Sequence, residues 1–87
     1  MAKDLKYGHV TLEHGHIGED EPVMVFRAKD RLLPALIDMY LMMCRLAGSP
    51  QRHMDLISEN RDIIVAWQRE NPTKTPDSVA STEWMDH

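Results

Sequence analysis

Three groups of side chains in this 87-residue sequence have types and spacings that suit chemistry. Arg27, Lys29 and Arg31 alternate along an extended stretch that runs into a helix. Arg27 and Lys29 fall on one face of such a chain, and Arg31 stands at the helix start, where free N–H groups favour an anion. The corner suits a phosphate or a carboxylate. The same bases can instead be neutralised by Asp30, Asp38 or the acidic loop Glu19-Asp20-Glu21, as surface charge clusters commonly are. No Gly-rich loop accompanies them, which excludes a P-loop or a dinucleotide fingerprint. The second group is His53 and Asn60, two turns apart on one helix, with Tyr40 and Trp67 available for stacking. A polar pair on an apolar stripe either fixes helix register or floors a ligand pocket between helices. Asp38 or Arg45 can supply its partners.

The third group is His9, His14 and His16 with Glu13. His14 and His16 share a face of a strand, but Gly15 between them reads as a turn, and no outer set of partners is readable. Solvated turn histidines are expected rather than a metal site. Cys44, among Met42, Met43 and Leu46, reads as a buried inert thiol. The acidic loop lacks the spacing of an EF-hand or of paired catalytic carboxylates. The expectation is a protein that is not an enzyme and carries no cofactor or metal.

Two strands are expected to precede the helices. Val10 and Leu12 alternate with Thr11 and Glu13, which predicts a strand over 6–13. Pro22 then opens a β-rich run, Val23-Met24-Val25-Phe26, within a second strand over 22–28. Helix one is predicted from Arg31 to Ala47, with Asp30 as N-cap and Gly48 as stop. Pro34 allows the regular helix to begin only at Leu33 or Pro34. Arg31, Asp38 and Arg45, seven apart, share one stripe, and the remaining faces are apolar. Helix two is predicted from Pro50 to Glu70, capped by Ser49 and ended by Pro72. Its expected inner stripe is His53, Leu56, Ile57, Asn60, Ile63, Ile64 and Trp67, opposite Arg52, Asp55, Glu59, Asp62 and Arg69. The fold class is therefore α+β: a short N-terminal β-hairpin packed on an antiparallel pair of α-helices. Residues 1–72 form the single domain, and 73–87 a polar tail whose Trp84 and Met85 suit docking on a neighbouring subunit.

Size and charge bound the rest. A chain of this length is marginal alone, and a single cysteine allows no internal disulfide. Oligomerisation is the expected remedy, since a helix apolar nearly all round must be covered on several sides. Seven methionines suit an adaptable interface. The net charge of −4 argues against a nucleic-acid polymer or a membrane surface as partner. No signal peptide or spanning segment is readable, so a cytoplasmic location is expected.

The order Pro22, short apolar strand, Arg27-Ala28-x-Asp30, Leu32-x-Pro34, Ala66-Trp67-Gln68, Pro76-Asp77 resembles small, mostly uncharacterised proteins of bacteriophages and prophages, over about residues 19–77. That family has no assigned activity to carry over. The resemblance implies an accessory protein in the host cytoplasm that works by binding, for instance as an antagonist of host defence. One form of this is an oligomer sequestering an anionic small molecule, such as a nucleotide signal, at its interface. Arg27, Lys29 and Arg31 would face the phosphate, Tyr40 or Trp67 the base, and His53 and Asn60 the pocket floor. The other form is a module that binds and inhibits a host protein without any small ligand.

Overall fold

The computed structural model describes residues 2–77. They form a two-stranded antiparallel hairpin followed by two helices, an α+β arrangement. The described residues divide into two compact units, residues 2–26 with Asp77, and Arg27–Pro76.

In the first unit, β1 (Lys3–Asp4) pairs with β2 (Gly8–His9), Lys3 opposite His9 and Asp4 opposite Gly8. The turn between them is made by a side chain. Asp4 Oδ1 accepts hydrogen bonds from the backbone N–H of Lys6 (2.8 Å) and of Tyr7 (2.9 Å), an aspartate turn of the kind short polar side chains favour. Gly8 then takes φ +89°, a left-handed conformation that glycine adopts without steric cost. Asp4 Oδ2 accepts the N–H of Val25 at 2.7 Å. Pro22 bridges Lys3 in parallel, and the Val23 N–H reaches the Lys3 carbonyl at 3.4 Å. The chain near residues 22–25 thus lies along the free edge of β1 without becoming a strand.

This corrects the strands expected at 6–13 and 22–28. The hairpin lies earlier and is shorter, and its partner strands are the two arms of the Asp4 turn. Pro22 has no N–H to give a ladder, and the carboxylate takes the Val25 N–H that a strand would have offered its neighbour.

In the second unit, α1 spans Leu33–Ala47 and α2 spans Gln51–Glu70. Asp30 Oδ1 accepts the Leu32 N–H at 2.8 Å, and the Asp30 carbonyl accepts the Leu33 N–H at 3.1 Å. This tight turn leads into Pro34, so the helix starts at Leu33. Gly48, at φ +75°, ends it: its N–H and that of Ser49 return to the carbonyls of Arg45 and Cys44. The expected Ser49 cap is not formed. Pro50 directly precedes α2, and its carbonyl receives the N–H groups of His53 and Met54. Asn71 Nδ2 donates to the Trp67 carbonyl at 2.9 Å where α2 ends.

Early α1 meets late α2, as an antiparallel hairpin requires: Asp38 pairs with Arg61, and Tyr40 nearer the loop pairs with His53. The open end is clasped by Gln68. Its Nε2 donates to the carbonyls of Ala28 and Asp30, each at 2.9 Å. Thr73 and Lys74, the first residues of the expected tail, return to the same place. The Arg31 N–H donates to the Lys74 carbonyl, and the Lys74 N–H to that of Lys29, both at 3.0 Å. Trp84 and Met85 lie outside the described residues. Burial within the hairpin centres on Leu33, Leu41 and Cys44 of α1.

Candidate functional site

Among the described residues two polar side-chain contacts join α1 to α2, one on each side of the hairpin. On one side Arg61 forms an ion pair with Asp38: an Nη donates to Oδ2 at 3.0 Å, and Nε lies 2.5 Å from Oδ1. On the other, the Tyr40 hydroxyl and His53 Nε2 share a hydrogen bond of 3.1 Å, with the rings edge to face at 6.0 Å. The Tyr40 pKa is raised, first by hydrogen bonding and charge interaction with Cys44 one turn on, then by burial. Tyr40 therefore stays protonated and neutral at physiological pH.

Helix geometry says what surrounds the Tyr40–His53 pair. Leu32, Leu36, Met39, Met43 and Leu46 follow one another at spacings of four, three, four and three. At about 100° per residue they form one stripe along α1, roughly 135° round from buried Leu33, Leu41 and Cys44. Each is between 40 % and 84 % exposed. On α2, Leu56, Asn60, Ile63 and Trp67 repeat the rhythm four, three, four. Leu56, Asn60 and Ile63 are exposed and Trp67 is half-buried. This stripe lies about 90° from the α2 face that meets α1. With the helices antiparallel, both stripes lie on the Tyr40–His53 side, while Asp38 and Arg61 close the other side. The result is one broad apolar face spanning both helices, with no charged side chain in either stripe.

The expected inner stripe of helix two is thereby corrected. Half-buried Ile57 and Ile64 do turn inward, but Arg61 and Gln68 join them, and Leu56, Asn60 and Ile63 turn out to water. The cause is polar: Arg61 reaches Asp38, and Gln68 reaches two backbone carbonyls. Asp38 is therefore partnered by Arg61, and His53 by Tyr40 rather than by Asp38 or Arg45.

Side chains of this size each present about 60–120 Å² to water when fully exposed, taking ~1.5–3 kcal/mol at ~25 cal/mol per Å². At the observed exposures the two stripes leave roughly 250–500 Å² of apolar surface in contact with solvent. Apolar surface of this extent is comparable to the largest patch on a typical monomer, which often serves an interaction.

The remaining expected site residues fall into separate places. Arg27 and Lys29 are half-buried, and Arg31 is exposed with its guanidinium directed to Thr73, 3.4 Å from both the hydroxyl and the carbonyl. Arg31 and Tyr40 are nine positions apart, about 13 Å along the axis, so the basic cluster and the Tyr40–His53 pair do not share a pocket. Trp67, in the last turn of α2, lies at the basic end, and Asn60 midway. Sequence reasoning missed Lys74, which the Asp30–Lys74 bridge brings beside Lys29 and Arg31. It also missed Arg61; a guanidinium four residues from each of Ile57 and Val65 on one helix face was its only signal.

In the first unit a pocket of about 390 Å³ is lined by Ala2, Val10, Leu12, His16, Ile17 and Glu19 among others. His9, His14 and Glu13 are exposed and are not among its lining residues. Among the described residues no three His, Cys, Asp or Glu side chains gather as metal ligands, and no helix is long and apolar enough to cross a membrane. Comparison of the chain with protein-family models, with curated proteins and with solved structures finds no match.

Proposed function

We propose that this chain is a non-enzymatic binding module that acts by docking protein on the apolar face of its helical hairpin. The observation that carries this reading is the pair of exposed apolar stripes on one side, opposite the Asp38–Arg61 contact. A hairpin this short leaves most of α1 uncovered, and an exposed stripe with alternating spacings of three and four is what another helix packs against. Methionines 39 and 43 within it adapt to a partner's contours.

A photo-crosslinking amino acid at position 43 tests the reading against one at position 42. The neighbours are similarly exposed, at 64 % and 61 %, but about 100° apart. Protein adducts from position 43 and none from 42 are the expected outcome. Equal yields, or none from 43, sink the reading.

A second reading has one observation of its own, the gathering of Lys29, Arg31 and Lys74 at the open end with Trp67 close by in sequence register. There an anionic small molecule such as a nucleotide would be held by the bases and stacked on the indole. Calorimetric titration with cyclic and linear nucleotides tests it. Heat that disappears in Lys74→Ala is required; no heat with any nucleotide removes this reading and leaves the docking face untouched.

A further inference from the structure

We infer that the occupant of the apolar face is a second copy of this chain, the two helical hairpins meeting as halves of a four-helix bundle. This rests on the reading of the face as a docking surface and adds the partner's identity.

Periodicity is the first argument. Both helices carry the alternating spacing of four and three that keeps a seam aligned with another helix at a shallow crossing angle. Two antiparallel helices with such seams on one side are half of a bundle core, and an identical hairpin supplies the other half. Charge is the second. In an isologous contact the same patch appears on both sides, so residues near the twofold axis meet their own kind. A charge there would be repelled by itself. The stripes hold no charge: Asp38 pairs with Arg61 on the other side of the hairpin, and Arg45 shares the stripe of Asp38. Area is the third. A standard interface buries ~800 Å² on each partner, about 65 % of it apolar between identical subunits. The roughly 250–500 Å² left exposed here is from about half to nearly all of that apolar share. Asn60 is the polar member of the α2 stripe, and one amide in an apolar seam fixes register by pairing with a counterpart.

Light scattering and sedimentation of the full chain at micromolar concentration read this directly. The expected mass is about twice 10.1 kDa. Met43→Glu places a charge in the seam and is expected to halve the mass with helical circular dichroism retained, because Met43 is exposed within its own protomer. Met42→Glu, off the face, is expected to leave the dimer intact. Should Met43→Glu lose its helical signal, Asn60→Asp, an isosteric change at an exposed position, is expected to halve the mass instead.

A monomeric wild-type chain overturns the inference, as does a dimer broken equally by the changes at 42 and 43. The two failures are separable. A monomer whose position 43 still crosslinks to another protein keeps the docking reading and loses self-association. Absence of adducts at 43 loses the docking reading itself.

Discussion

The most connected side chain in the first unit is Asp4, which sequence reading passed over. It is only 5 % exposed and accepts the N–H groups of Lys6, Tyr7 and Val25. These bonds favour the charged form, and its pKa is lowered from 3.8, chiefly by the Tyr7 N–H, then by that of Val25, with burial opposing and the Lys6 N–H adding to the fall. Stability from such a group is fully present above the unfolded-state value and is lost as pH falls through the lower folded-state value. Acidification below about pH 4 should therefore loosen residues 2–26. Amide resonances of Tyr7 and Val25 should shift together in that range. In Asp4→Asn the shift should vanish, and if it persists the carboxylate is not its origin. Asp4 was illegible beforehand because one of its bonds spans 21 positions, and nothing in local pattern ties Asp4 to Val25.

At the scale of elements, the helices were legible and the strands were not. Pro34, Gly48 and Pro72 punctuate the helices by sterics alone, which is why α1 begins and ends where those residues require. Gly48 shows how firm such punctuation is. A Cβ there meets nothing within 4 Å, yet φ is +75°. Gly48→Ala should cost about 1–2 kcal/mol from the left-handed backbone alone, read as a lower urea midpoint with an unchanged slope. A neutral result would mean the loop relaxes out of that conformation. The clasp at the other end is also measurable. Gln68→Ala removes two bonds to backbone carbonyls and should destabilise the helical unit by roughly 1–3 kcal/mol. The candidate face was half legible. The excess of apolar surface on α1 was readable, but α2 has two apolar stripes about 90° apart, and periodicity cannot say which one turns inward. Arg61 decides it, through a partner 23 positions away.

At the scale of the whole chain, the two units differ in how their residues are arranged along the sequence. The helical unit is continuous, Arg27–Pro76, and closes on itself where Asp30 meets Lys74. The first unit is interrupted: Lys6 Nζ donates to the carbonyl of Asp77 at 2.7 Å, across the entire helical unit. The ribosome therefore delivers the first unit in two instalments. At ~5–20 residues per second, making the Arg27–Pro76 stretch takes about 3–10 s, and for that time residues 2–26 wait for Asp77. In the order of synthesis, the unit begun first is therefore the one completed last.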